Sequence, residues 1–138
     1  LYLLLYREAF AMANNPSTYP KPFLVAQNTT RGAPVAGRVM VADNPWTRFM
    51  GLMGKPGLPD DVGLWIVPCK DIHSFWMRFA FDALFLDKNG VVVHVVEHMR
   101  PNRVSKIIAK AHGVLELNGG VIAQTGTLLG DTVVLAPV

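Results

Sequence analysis

The sequence predicts a mainly β protein: a small sandwich or barrel of short antiparallel strands with two or three short helices. Three observations carry that expectation. Short apolar and β-branched runs recur along the chain, each bounded by glycine, proline, asparagine or aspartate. Between two of them, Asp87, Lys88, Asn89 and Gly90 make a hairpin signal, because Asn and Gly tolerate the positive φ that tight turns require. Apolar residues make up 51% of the chain and charged ones only 17%, which suits a well-buried globule and excludes disorder for most of it. A length of 138 residues fits one domain, placed at 23–138 after an N-terminal segment and linker at 1–22.

Taken in order, Leu1, Leu4, Leu5, Ala9 and Met12 recur at helical spacing and predict a short amphipathic helix. Arg7 and Glu8 interrupt its apolar run before a signal-peptide core forms. It lacks the basic residues that strengthen membrane-surface binding, so docking on protein is favoured and a membrane partner is not expected. Pro16, Pro20 and Pro22 mark the linker. Phe23–Gln27 and Gly37–Ala42 read as strands around a turn at Arg31–Pro34. Asp43, Asn44 and Pro45 open a short helix, with a side-chain cap and then Pro where its missing N–H costs nothing; Gly54 closes it. Met50, Leu52 and Met53 on that helix are core filler rather than a soft-metal site. Gly63–Val67, Asp82–Asp87 and Val91–Met99 read as strands, the last two as the hairpin. Val104–Ala111 fits a helical turn or an irregular strand equally well. Val114–Leu117 is a strand, Gly119–Gly126 a short helix between glycines, and Gly130–Leu135 the closing strand.

The stretch from His73 to Asp87 holds most of the polar candidates. If His73–Phe79 is extended, His73, Phe75 and Met77 share one face while Ser74, Trp76 and Arg78 share the other. A buried Arg78 or Asp82 needs a partner, so these residues form either a structural ion pair or part of a site. His94, Glu97 and His98 match the H-x-x-E-H signature of inverted zinc peptidases. That chemistry needs a helix, whereas in a strand the two histidines stand roughly 13 Å apart and Glu97 faces away. The β-branched run favours the strand, so no metal and no cofactor is assigned. The single cysteine, Cys69, excludes an internal disulfide and a cysteine-based zinc cage.

Arg48, Gly51, Leu52, Met53 and Gly54, the 73–87 stretch, Val114, Leu115, Glu116 and Leu117 with Gly119 and Gly120, and Gly130 with Asp131 together give the chain a resemblance to the domain-of-unknown-function 192 family. The four blocks agree in order and spacing over about residues 38–138. The resemblance implies a small, mainly β domain of the sandwich or barrel type, found in bacteria and archaea both as exported and as unexported proteins, with no assigned activity. Members often carry Gly where Trp76 stands and Pro where Ala80 stands.

Two functional classes follow. The first is a non-catalytic binding or accessory module with a shallow polar site drawn from His73, Trp76, Arg78, Asp82 and Glu116, suited to a small molecule, a sugar or a peptide edge. The second is a thiol enzyme with Cys69 as nucleophile, His73 as base and Asp71 or Asp82 as orienter, which requires a turn between Cys69 and His73. The zinc-hydrolase reading of His94, Glu97 and His98 ranks last. The formal charge of +3 comes from scattered Lys and Arg without a basic stripe, so nucleic acid is not an expected partner. A cytoplasmic location is favoured, with export left open.

Overall fold

A computed structural model describes residues 23–45, 48, 52 and 57–138. The helix and linker expected over 1–22, and Met50 and Met53 of the expected Met-containing helix, lie outside the described residues. Runs rich in Val, Leu, Ile and Phe become strands because a branched or aromatic side chain packs well on a pleated surface. The strands are β1 (Leu24–Asn28), β2 (Ala33–Ala42), β3 (Val62–Ile66), β4 (Phe81–Leu86), β5 (Val92–Met99), β6 (Gly113–Asn118) and β7 (Val133–Pro137). A short helix, α1 (Val121–Thr125), sits between β6 and β7. All seven strands join one sheet in the order β5-β4-β6-β3-β2-β1-β7. It curls into a half-barrel whose ends meet where Val91 bridges Thr132.

Every strand pairing is antiparallel except β2 with β3, which run parallel with Met40 opposite Leu64. A parallel neighbour needs a crossover, and the chain between Ala42 and Val62 supplies it. The β4–β5 hairpin turns at Asn89 and Gly90 as the sequence predicts. Asp87 Oδ1 accepts the N–H groups of Asn89 at 2.8 Å and Val91 at 2.9 Å, and Gly90 takes φ +80°. A Cβ at Gly90 would lie 2.5 Å from the carbonyl oxygen of Val133, so glycine is required there twice over.

The middle of the sheet is buried on both faces. One core fills the curl and draws on every strand, with Ala26, Val39, Trp65, Leu84, Val92, Leu115 and Val133 among its members. The other lies on the outer face of β3, β4, β5 and β6, where Leu64, Phe81, Phe85, Met99 and Val114 pack under Leu58, Ile72, Met77 and Ala111 from the connections. β4 is consequently buried at all six positions. Burying one such large side chain contributes about 1.5–3 kcal/mol. This explains why Phe81–Leu86 reads as a continuous apolar run broken only by Asp82, rather than as alternation.

A polar cluster built on buried Asn28 and Asp131 joins segments 103 residues apart in the chain. Asp131 accepts from Arg31 Nε at 2.6 Å, from Asn28 Nδ2 at 3.0 Å and from the backbone N–H of Leu128 at 2.9 Å. It thereby ties the β1–β2 turn to the loop before β7. These bonds, led by that from Arg31, hold the Asp131 carboxyl down at about 2.

Candidate functional site

The polar residues singled out in the sequence are divided by the sheet. Asp82 pairs with Leu117, and Ala83 with Glu116. Directly opposite residues point to the same side, so Asp82 shares the inner side with Leu117 while Glu116 shares the outer side with Ala83. Asp82 is fully buried and works on the backbone. Its Oδ1 accepts from the N–H of His98 at 2.9 Å, and its Oδ2 accepts from Gly120 at 3.0 Å and Ile122 at 2.9 Å. Helix α1 has Gly120 at its N-cap, with no side chain to offer, so Asp82 caps it from across the fold. Glu116 is buried on the outer side, near enough to Cys69 for its charge to act on that thiol. The structure therefore does not bring Asp82 and Glu116 into one site.

Cys69 donates its S–H to the backbone carbonyl of Asp71 at 2.9 Å. Burial above all, with the charges of Glu116 and Asp71 adding to it, pushes the thiol above its ordinary 9.0. A nucleophilic cysteine needs the opposite shift.

The outer layer carries a ribbon built from two connections. His73 bridges Val104, and around it Ser74 N–H donates to Arg103 O at 2.8 Å, Ser105 N–H to Ile72 O at 2.9 Å and Ile108 N–H to Lys70 O at 2.8 Å. Val104–Ala111, which the sequence left between helix and strand, is thus an irregular antiparallel partner for residues 70–74. Ser74 is fully buried and fastens the ribbon's end. Its Oγ donates to Arg100 O at 2.6 Å and accepts from the Arg103 N–H at 2.8 Å, while its carbonyl accepts from the N–H of Asn102 at 2.9 Å and of Met77 at 3.2 Å.

That last bond closes a turn over Ser74–Met77, and it ends the alternation that an extended His73–Phe79 would show. Phe75 is exposed while Met77 is buried, and Ser74 is buried while Trp76 and Arg78 are exposed. Trp76 occupies the third turn position at φ +58°, a left-handed conformation that favours glycine. This gives a physical reason for the glycine common at this position in the family that the sequence resembles. The rings of His73 and Phe75 stack with centroids 5.6 Å apart, and Trp76 meets Phe75 edge-on at 6.1 Å.

Strand β5 lies beside the ribbon and is bulged at its end. Ala83 faces Val96 but Phe81 faces Met99, so β5 carries one residue too many, and His98 absorbs it at φ +49°. An ideal Cβ on Gly119 would stand 3.0 Å from His98 Nδ1, so the imidazole is seated against the Gly119 backbone. Between β5 and residues 99–105 lies a cavity of about 320 Å³, lined by His94, Val96, His98, Met99, Arg100, Arg103, Val104 and Ser105. Four cationic or protonatable side chains line it and no carboxylate does. The segment bearing the H-x-x-E-H pattern is strand, not helix. Among the described residues no group of three or more His, Cys, Asp or Glu is placed to hold a metal ion.

Of the sequence candidates, His73 touches this region through its bridge to Val104, and Trp76 and Arg78 follow in the adjoining turn. Arg100 and Arg103 were missed as site residues. Their signal was the turn Arg100, Pro101, Asn102 and Arg103 directly after a strand, with Asn102 at φ +62° presenting an arginine on either side.

Residues 26–135 match the family model for DUF192, described as "Uncharacterized ACR, COG1430". A UPF0127 protein of Thermococcus sibiricus is 32% identical over 111 residues, spanning 77% of this chain and 71% of that protein. One from Pyrococcus furiosus is 30% identical over 109 residues, spanning 75% of this chain and 91% of its own. Two solved structures share the fold. A protein of unknown function from Novosphingobium aromaticivorans superposes with a TM-score of 0.68 at 21% identity, covering 81% of this chain and 83% of that one. A putative transcription regulator from Sinorhizobium meliloti superposes with a TM-score of 0.66 at 24% identity, covering 85% and 95%. With a mainly β half-barrel, a family match over most of its length and relatives at this identity, the chain belongs to the DUF192 (UPF0127) family.

Proposed function

We propose that the protein is a non-catalytic binding module that holds a small carboxylate-bearing molecule between β5 and the loop after it. The supporting observation is the lining of the cavity: His94, His98, Arg100 and Arg103 with no acidic side chain. Its volume of about 320 Å³ falls at the small end of ligand sites. Guanidinium groups grip a carboxylate through paired N–H donors, and Val96, Met99 and Val104 offer apolar wall to the rest of the ligand. A binding role also fits the thiol, because Cys69 is kept protonated rather than activated.

Calorimetric titration with a panel of mono- and dicarboxylates, beside neutral amides and sugars of the same shape, tests the reading. Acids should bind and their neutral analogues should not. Arg103→Ala should weaken binding at least about tenfold, the usual consequence of losing a charge-assisted hydrogen bond. Its backbone bonds to Ser74 survive that truncation, so the loop stays in place. Equal binding of acids and neutral analogues, or no binding of any acid, would refute it.

A further inference from the structure

The ribbon of residues 70–74 and 103–108 has an inner side that covers the outer core and an outer side left open among the described residues. Ile72 and Ser74 are buried inward and Ile108 packs on the same core. On the outside Ile107 is 76% exposed, Trp76 68%, Val104 60% and Phe75 41%. Single exposed apolar residues are ordinary, but here the two ribbon segments and the turn at their end concentrate several. The His73–Val104 bridge, the stacking of His73 on Phe75 and the edge-on contact of Phe75 with Trp76 make Val104 and the aromatics one patch.

Cations outnumber acids around it, Asp71 being the exposed acid of the ribbon itself. The segment from Arg100 to His112 contains Arg100, Arg103, Lys106 and Lys110 and no Asp or Glu, and Arg78 lies exposed two residues beyond Trp76. We infer that the outer side of this ribbon is a docking surface for an anionic lipid bilayer, with Trp76 and Ile107 entering the headgroup boundary and Arg78, Lys106 and Lys110 meeting lipid phosphates.

Trp76 argues for a role outside the fold. Its left-handed φ is unfavourable for a non-glycine residue, yet its ring is not buried in either core. Strain held at an exposed aromatic marks a residue kept for what it meets. Tryptophan sits readily at a membrane interface, where its ring is apolar and its N–H is wet. Apolar tips this open, spread along a ribbon rather than gathered around a central pocket, suit a fluid surface better than a protein hot spot. Each Lys or Arg close to an anionic membrane strengthens binding about fivefold, and salt removes that contribution.

Co-sedimentation of the full chain with phosphatidylcholine vesicles, with and without about one-third phosphatidylglycerol, tests the inference. Binding should require phosphatidylglycerol and should fall steeply between about 0.1 and 0.5 M salt. The double variant Trp76→Gly and Ile107→Ser should bind at least about tenfold more weakly, and Lys106→Glu should also bind more weakly. Trp76→Gly relieves the backbone, so it should fold at least as well as the parent. None of these residues lines the cavity, and carboxylate binding measured on the same variants separates this inference from the preceding proposal. Vesicle binding unchanged in all three substitutions would overturn the inference. Binding to polyglutamate or to an oligonucleotide, with none to any vesicle, would overturn it as well.

Discussion

Asp82 is the side chain on which the site's geometry hangs, and Asp82→Ala puts a number on that. The carboxyl group accepts three backbone N–H bonds, from His98, Gly120 and Ile122, and is wholly inaccessible to water. Alanine takes the acceptor away from all three donors. A stranded buried donor costs about 1–3 kcal/mol, so taking the lower part of that range for each gives a loss of about 3–5 kcal/mol. A domain of this size has about 5–15 kcal/mol to lose. With a urea m-value of about 2 kcal/mol/M, the unfolding midpoint should drop by about 2 M. Asp82→Asn should fall between wild type and Ala, because its one carbonyl oxygen can serve the two helix donors while its NH2 turns toward His98 N–H. Hydrogen exchange locates the effect: the amides of His98, Gly120 and Ile122 should lose protection together. A midpoint within about 0.5 M of wild type, with the three amides still protected, would refute the assignment of Asp82 as the common anchor of the bulge and α1.

Two further outcomes follow from the titrating groups. Asp131 has a folded-state value of about 2 against an ordinary 3.8, so it binds its proton less readily when folded. Its stabilising contribution is fully present above about pH 4 and is lost as the pH falls toward 2; thermal melts across that window should show the loss, and Arg31→Ala should flatten it. Cys69 is shifted the other way. Its reaction with a disulfide reagent should be slow at neutral pH and should reach half its limiting rate only above pH 9.0. A fast reaction at pH 7 would reinstate a catalytic thiol.

The strands were legible because most of them are read from local signals. The Asn89–Gly90 turn, the apolar run of β4 and the glycines flanking α1 each announce themselves within a few residues, and the structure has them all. What escaped depends on contacts between distant segments or on one irregular residue. Period-two reasoning is blind to the register between strands, so nothing in the chain told that Asp82 and Glu116 point to opposite faces. The bulge at His98 shifts the alternation of β5 by one residue and places Met99, not His98, opposite Phe81. The cations read as scattered because they form no unbroken run in the sequence. Arg100, Arg103, Lys106 and Lys110 share one short segment, which its pairing with residues 70–74 holds on the outer layer, and that pairing contains a single bridge, too little to print a strand pattern on either segment.

Beyond Leu86 and Gly90, the fold is shut by a small clasp. Val92 N–H donates to Asp131 O at 2.8 Å, Gly130 N–H to Val92 O at 2.9 Å and Val133 N–H to Gly90 O at 2.8 Å. Those three bonds occupy the margin where β5 and β7 would otherwise offer unsatisfied amides to a neighbouring molecule. Farther along, β5 ends in its irregularity with Glu97 and His98 turned outward, and β7 ends at Pro137, which has no N–H to give. A second copy arriving in search of a ladder to extend finds the first rungs already taken.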